Sequence, residues 1–595
     1  MSMIHDVYFN SHDLACRSPF GAVTGGTRID FSVDTKDLAD VTCYLNYYHE
    51  RPDQREIKTI TMTRQGGRHT AALVPVETGL YFYWFSVTVP GRTLFFGNSH
   101  DSLGGIAMPY EQEMALRPYQ ITVHDYTRPA PKWYREAIFY QIFPDRFCNG
   151  NDDGQINSPK PGSFLYADWY DTPYYVRNPQ GGVERWEFSG GNLKGLEKKL
   201  DYLKKLGVNG IYLNPVFEAR SNHRYDTGDY HTIDPMLGTN AEFEALMAAL
   251  KKENIGVILD GVFNHTGDDS IYFNSRGTYD SLGAFQSKAS PYYDWYNFKT
   301  YPGDYECWWG VTDLPNVNEG IRSYQDFIME PKKGVIPYWL IKGASGWRLD
   351  VADELPGSFI QGIRKAMDEE PDVEETVLIG EVWEDASNKI SYSVRREYLM
   401  GKELHGVMNY PFKEAIIRYL NRQIRAEDVY RIMMSLKENY PKEAFYANFN
   451  FLGTHDTPRI RTELDSNPKL RMATVMLMTL PGVPCIYYGD EAGLYGERDP
   501  YNRATYPWGR EDEEIMAMYQ SAIDLRKSSG VFIDGDFQPF FKGDIFGFTR
   551  TLGKETHLIA FNPTDQIKEG SLILPELKEA LTVRIEAMDY IHLKP

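Results

Sequence analysis

Cysteine is scarce. The chain carries five, Cys16, Cys43, Cys148, Cys307 and Cys485, among 595 residues. Their number is odd, their spacing is wide, and no two form a C-x-x-C pair. This excludes a disulfide framework and a thiolate zinc site, and a reducing, cytoplasmic setting is the simplest expectation. Positive charge is also short, with 63 Lys and Arg against 83 Asp and Glu and a formal net charge of −20. Such a surface repels nucleic acid and anionic lipid, so neither is expected as a partner. No apolar run approaches the roughly 20 residues that span a bilayer. The first residues, MSMIHDVYFNSHDL, have neither a basic n-region nor an apolar h-region, so no signal peptide is expected. Internal repeats and low-complexity tracts are absent.

Length and aromatic surface are abundant. A chain of this size exceeds one hydrophobic core and predicts three or four domains. Aromatics make up 14% of it, with 42 Tyr and 11 Trp. Most of these fill cores, but their flat faces and polar edges also suit stacking on sugar rings.

Residues 28 to 124 read as short alternating strands, among them Arg28 to Val33, Val41 to Tyr47, Ile57 to Thr63 and Leu80 to Val89. Regular strands with turn signals predict a β-sandwich over residues 1–125. From Trp133 short apolar runs alternate with helical-period segments. The runs are Ala137 to Phe143, Val208 to Pro215, Gly256 to Asn264, Gly346 to Asp353, Thr376 to Trp383, Gly406 to Phe412, Asn448 to Asp456 and Pro484 to Glu491. Eight such runs predict an α/β fold, a (β/α)8 TIM barrel over residues 126–530. The alternative is a doubly wound open sheet, and the lack of G-x-G-x-x-G after the first run disfavours its dinucleotide-binding form. The third and fourth runs lie too far apart for a plain connection, which predicts an inserted subdomain at about residues 266–325. Its Tyr272, Phe273, Trp295, Trp308 and Trp309 suit a lid. Short strands return in 531–595, including Ser571 to Leu574, and predict a C-terminal β-sandwich.

Active sites of such barrels sit at the C-terminal ends of the strands. Asp260, Asp350, Glu381, Asp456, Asp490 and Glu491 all fall there. Carboxylates clustered without soft ligands suit either metal-assisted hydrolysis or glycoside cleavage by a carboxylate pair. Flanking residues favour the second. Arg348 shares a strand face with Asp350 and is expected to keep it ionised, as a nucleophile requires. Glu381 lies in IGEVWE, whose apolar and aromatic neighbours are expected to raise its pKa and suit a general acid. His265 and His455 offer hydrogen bonds to sugar hydroxyls.

These segments resemble those of the α-amylase family, glycoside hydrolase family 13. Asp260-Gly-Val-Phe-Asn-His265, Gly346-Trp-Arg-Leu-Asp350, Glu381-Val-Trp-Glu384 and Phe451-Leu-Gly-Thr-His-Asp456 look like its four conserved regions, in order. Ala137 to Phe147 and Pro484 to Glu491 resemble the neopullulanase, cyclomaltodextrinase and maltogenic amylase group. The resemblance implies a retaining α-glucan hydrolase cutting α-1,4 bonds of maltooligosaccharides, cyclodextrins and pullulan, with some transglycosylation. It implies Asp350 as nucleophile, Glu381 as acid/base and Asp456 as transition-state stabiliser. Arg348, His265, His455, Tyr225, Trp383, Asp260, Asp499 and Arg503 are the implied substrate-binding set. The N-terminal sandwich resembles a starch-binding module that, in this group, helps form a homodimer.

Two departures stand out. Leu314-Pro-Asn-Val-Asn318 replaces the group's Met-Pro-Lys-Leu-Asn, which leaves cyclodextrin or pullulan preference open. The implied calcium loop is Asn149, Asn151, Asp153, Gly190 and Asn192, with amides where two carboxylates are usual. Calcium favours charged oxygen ligands, so no cofactor is required and a structural Ca2+ would bind weakly. Other readings remain: a starch-directed α-amylase, an α-1,6 debranching enzyme, or an inactive glucan-binding relative, which should lack one of the three acids.

Overall fold

Period-2 alternation inside eight short apolar strands sets the positions of Tyr212, Asp260 and Arg348 at the centre of the molecule. The computed structural model describes residues 6–36, 38–51, 55–572 and 581–595. The strands are β1 (Phe139–Ile142), β2 (Gly210–Leu213), β3 (Gly256–Gly261), β4 (Gly346–Leu349), β5 (Val377–Gly380), β6 (Gly406–Val407), β7 (Phe449–Phe451) and β8 (Val483–Tyr487). Neighbours pair in parallel, β1 also pairs with β8, and a parallel bridge from Met408 to Phe449 closes the ring between β6 and β7. Phe139, Tyr212, Ile258, Val377, Ile379, Phe449, Phe451, Val483 and Cys485 pack together inside it. Alternation carries the same inward face up each strand, from Ile258 to Asp260 and from Gly346 to Arg348.

Helices cover the outside for local reasons. In Asn240–Lys252 a capping box joins Thr239 and Glu242, and Phe243, Leu246, Met247 and Leu250 bury one face. The expected run Gly406 to Phe412 is cut short. β6 ends at Val407 because Asn409 caps a helix, Tyr410–Leu420, with Pro411 in its first turn, where no N–H is needed.

The connection after β3 holds a hairpin (Phe298–Thr300 with Asp304–Tyr305) and ends in two helices, Arg322–Met329 and Val335–Ile341. Its aromatics divide. Tyr272, Phe273 and Trp295 are packed into the core, so they are not lid residues, whereas Trp309 is 81% exposed.

The N-terminal region forms two facing sheets of four and seven strands. Phe9, Phe31, Tyr83, Phe85 and Tyr119 lie in the core between them. The buried Arg17–Glu438 pair, 2.7 Å, ties this region to the barrel. The C-terminal region has a four-stranded sheet and a two-stranded one. Lys568–Leu572 pairs there with Leu581–Ile585. The end of the expected Ser571 to Leu574 strand lies outside the described residues. Among the described residues no helix is long and apolar enough to cross a membrane.

Candidate active site

Arg348 stands on β4 with no solvent exposure and organises the strand ends. Its Nη1 donates to Asp260 at 2.6 Å and to Asp350 at 2.7 Å, and Nη2 lies 3.0 Å from Glu381 Oε2. The cation is therefore shared by three carboxylates, where the sequence suggested service to Asp350 alone. Burial pushes the Asp350 carboxyl well above the usual carboxylate range; Arg348 opposes this, and Glu381 and Asp260 add to it.

The setting of Glu381 is more polar than its neighbours in sequence suggest. Its Oε2 accepts the Val351 N–H at 2.9 Å, and its Oε1 accepts Trp383 Nε1–H at 3.2 Å, with the Tyr410 hydroxyl at 3.5 Å. Val351 has a left-handed backbone, φ 39°, strained for a β-branched residue. That kink directly after Asp350 turns the N–H towards Glu381. Trp383 is half exposed and stacks on Tyr410 at 4.1 Å.

Asp260 is almost fully occupied by protein. Its Oδ2 accepts the hydroxyls of Tyr212 (2.6 Å) and Tyr225 (2.7 Å), and its Oδ1 takes Arg348. Sequence reasoning missed Tyr212. The available signal was a hydroxyl inside an otherwise apolar strand, which must find a partner when buried. Tyr225 also bonds His455 Nε2 at 2.6 Å, with the two rings nearly parallel, 4°, and their centroids 5.2 Å apart. Gln141 donates to His455 Nδ1 at 3.0 Å, which assigns the ring proton to Nε2. Burial drives the pKa of His455 well down, and that of His265 down to about 4, so both are neutral near pH 7. His265 Nδ1 meets Asn264 at 3.2 Å, and its buried Nε2 has no protein partner.

Asp456, partly exposed, lies 3.1 Å from His455 Nε2 and 3.3 Å from Arg503 Nη2. Arg503 also pairs with Asp499 at 2.9 Å. The structure thus brings Asp260, Arg348, Asp350, Glu381, Trp383, Tyr225, His455, Asp456, Arg503 and Asp499 into one contact network. His265 reaches it from the side, its ring 5.6 Å from Trp308. Two acids at the end of β8 do not join it. Asp490 pairs with Arg459 at 2.9 Å, and Glu491 accepts Tyr140 and Tyr202.

The implied calcium loop lies beyond β1, and its donor set does not fit the ion. Asn149 Nδ2 donates to the carbonyls of Gly154 and Gln155, both at 3.2 Å, and Asn151 Nδ2 to Gln155 O and Asn157 Oδ1, both at 2.8 Å. Amide hydrogens therefore stand where a cation would bind these oxygens. The Asn149 amide cannot be turned over, because its Oδ1 already accepts the Asn151 N–H at 2.9 Å. Asn192 Oδ1 accepts the N–H groups of Gly150 and Gly195, so it also caps the helix Leu193–Lys198. Gly195 is required there, since a Cβ would meet the Cys148 carbonyl oxygen at 1.9 Å. Asp153 accepts the Gln155 N–H, Asp152 pairs with Lys198, and Gly190 donates its N–H to Asp145. Among the described residues no group of three or more His, Cys, Asp and Glu is arranged to hold a metal ion.

The family profile described as Alpha amylase, catalytic domain, matches residues 141–529. An amylopullulanase of Thermoanaerobacterium saccharolyticum is 36% identical over 611 residues, covering 92% of this chain and 46% of that protein. The intracellular maltogenic amylase of Bacillus subtilis is 33% identical over 537 residues, 87% of this chain and 84% of the other. A solved cyclomaltodextrinase superposes with a TM-score of 0.68 at 27% identity, covering 96% of this chain and 94% of that one. The chain spans less than half the length of the amylopullulanases it matches. The eight-stranded barrel, the strand-end acids and these matches together show that the chain belongs to the α-amylase family.

Proposed function

We propose that this protein is a retaining α-glucan hydrolase cutting α-1,4 bonds in maltooligosaccharides, cyclodextrins and pullulan, with a sugar able to replace water as acceptor. The observation that carries the reading is Arg348 holding the carboxylates of Asp350 and Glu381 on its two terminal nitrogens. A pair gathered on one cation suits a retaining mechanism, in which the carboxyls lie about 5–5.5 Å apart, better than an inverting one with its wider, water-filled gap.

Asp350 attacks the anomeric carbon while Glu381 protonates the departing oxygen. Glu381 then takes a proton from water, which releases the sugar from Asp350. Asp456 and His265 bind hydroxyls of the sugar being cleaved, and His455 reaches it only where a sugar hydroxyl replaces the Tyr225 bond to its Nε2. The two histidines, being neutral, add no positive charge beside the oxocarbenium-like transition state. Arg348 and Asp260 act as positioning residues, since protein donors occupy the Asp260 oxygens. Tyr225 offers its free ring face to the sugar, and Trp383 lines the leaving-group side. A cavity of about 610 Å3 joins Glu381 and Trp383 to Trp308, Trp309 and Tyr392, and has room for an acceptor sugar.

The amide-closed loop supports activity without calcium. Five free cysteines and the maltogenic amylase relative named as intracellular support a reducing cytoplasm. A homodimer through the N-terminal domain remains our proposal, checked by sedimentation of the full chain.

The test incubates wild type and Asp350→Ala with maltohexaose, β-cyclodextrin and pullulan, following products by NMR. We expect α-anomeric products from wild type and none from the variant. β-Anomeric products would overturn the mechanism. The amylopullulanase matches favour a second reading, α-1,6 cleavage, and release from pullulan of maltotriose, rather than of a trisaccharide that retains an α-1,6 bond, would establish it.

A further inference from the structure

The non-reducing side of the site is bounded by residues far apart in sequence. His223 lies 5.8 Å from Tyr225, and Trp186 packs edge-on against His223 at 4.8 Å. Tyr175 packs edge-on against Trp186 at 5.7 Å. The Tyr175 hydroxyl then meets both oxygens of Asp499, each at 2.7 Å. Asp499 holds Arg503, and Arg503 returns to Asp456 and to the His455 carbonyl, 3.0 Å. Tyr225 is already hydrogen-bonded to His455. The contacts therefore form a closed loop that begins and ends on His455-Asp456.

Three features mark the Tyr175–Asp499 contact as the joint in this loop. It is one of the contacts that join two excursions of the barrel, which also meet through Trp169, Tyr170 and Thr505: the segment between β1 and the helix at Leu193, and the segment after β8. Tyr175 stands at the foot of a two-stranded hairpin, Val176–Arg177 with Val183–Arg185, whose other residues are largely exposed. The contact is also a single hydroxyl on a single, exposed carboxylate, whereas the remaining links are ring contacts or run through the buried Arg503 guanidinium, which meets Asp499, Asp456 and the His455 carbonyl at once.

We infer that Tyr175 and Asp499 form a latch that sets donor-chain length, so the protein releases short units from non-reducing ends and must open the latch for a chain that continues past it. This rests on the glucanase reading above and assigns Tyr175 as a specificity-determining residue. On this reading a linear chain ends inside the closed loop. An internal segment, or a cyclodextrin that has no end, must pass between the hydroxyl and the carboxylate. The carboxylate that holds Tyr175 is also an acceptor for a sugar hydroxyl, so an entering chain can replace the latch bond as it displaces it.

The experiment uses the full chain and maltoheptaose labelled at its reducing end, with bond-cleavage frequencies read at low conversion. Wild type should cut mainly the first two bonds from the non-reducing end. Tyr175→Phe keeps the ring against Trp186 and loses the hydroxyl. It should raise internal over terminal cuts, and the kcat/KM ratio of β-cyclodextrin to maltotriose, by about tenfold, the value of one charge-assisted hydrogen bond. Asp499→Asn should move the pattern in the same direction. An apparent melting temperature shows that each variant is folded, and a merely structural tyrosine would not change which bond is cut. An active wild type that cuts internal bonds as often as terminal ones, or a pattern unchanged in Tyr175→Phe, overturns the latch alone. A wild type that cuts neither glucan overturns the glucanase reading and the latch with it.

Discussion

Replacing Arg348 with Met should disable the site in a pH-dependent way. The guanidinium is fully buried and touches three carboxylates, at 2.6, 2.7 and 3.0 Å. With charge centres about 4 Å apart and an effective dielectric near 20, each pair is worth about 4 kcal/mol. For Asp350 alone that corresponds to about 3 pKa units. Its pKa already stands above the ordinary value because it is buried, so losing the cation raises it further. Nucleophilic attack needs the ionised form. The acid limb of kcat/KM should therefore move up by about 3 units, costing up to about 10³-fold on the acid side of the wild-type limb. Removing one partner of a buried cluster also destabilises by about 3–5 kcal/mol. The sign follows from linkage: carboxyls with raised folded-state pKa values hold protons that the unfolded chain has released. Stability then falls as pH rises, and the variant should be closest to wild type near pH 5 and furthest near pH 8. Arg348→Lys should fall between, since one ammonium cannot present two coplanar nitrogens. The assays are kcat/KM on maltotriose from pH 4.5 to 9 and apparent melting at pH 5 and 8. An unmoved acid limb with an unmoved melting temperature would refute the shared-cation account.

Glu381→Gln should lower kcat/KM on maltooligosaccharides by about 10²–10⁴-fold, and by much less on α-maltosyl fluoride, whose leaving group needs no acid. Equal losses on both would argue against Glu381 as the acid. Burial pushes Glu319 up to about 8, so the folded state keeps its proton between about pH 4.5 and 8 and loses stability across that window. Glu319→Gln should therefore melt higher than wild type at pH 9, by about 3–5 kcal/mol equivalent, and close to it at pH 5. A gain that is the same at both would contradict the assignment. EDTA should change neither the melting temperature nor the rate, and Asn151→Asp with Asn192→Asp should gain calcium-dependent melting. Wild type losing stability in EDTA and regaining it with calcium would show that the amides do not close the loop.

Much of the fold was legible because its signals are local. Each barrel strand is a short apolar run, and the helix at 240 announces itself through Thr239, Glu242 and a buried stripe at three and four. The positions of Asp260, Asp350 and Glu381 followed from strand ends and side-chain alternation. What failed depended on distant residues. Arg348 looked like a private partner of Asp350 because only β4 was in view, and its contacts to β3 and to Glu381 exist only in the closed barrel. The apolar neighbours of Glu381 in sequence gave no sign of Val351, Trp383 and Tyr410 turning donors towards it. Tyr272, Phe273 and Trp295 carried the same composition as a lid but pack into the core, and composition does not tell a face from an interior. The Tyr175–Asp499 contact joins residues 324 positions apart, and no local pattern marks it.

Asp350 as the nucleophile is tested most directly by trapping the glycosyl-enzyme. Wild type is incubated with 5-fluoro-α-maltosyl fluoride, digested, and mapped by mass spectrometry. The account predicts one added glycosyl group, on the peptide containing Asp350, with inactivation in proportion to labelling and protection by maltotriose. A label on Glu381, Asp456 or any other residue would contradict it, as would β-anomeric products without any label.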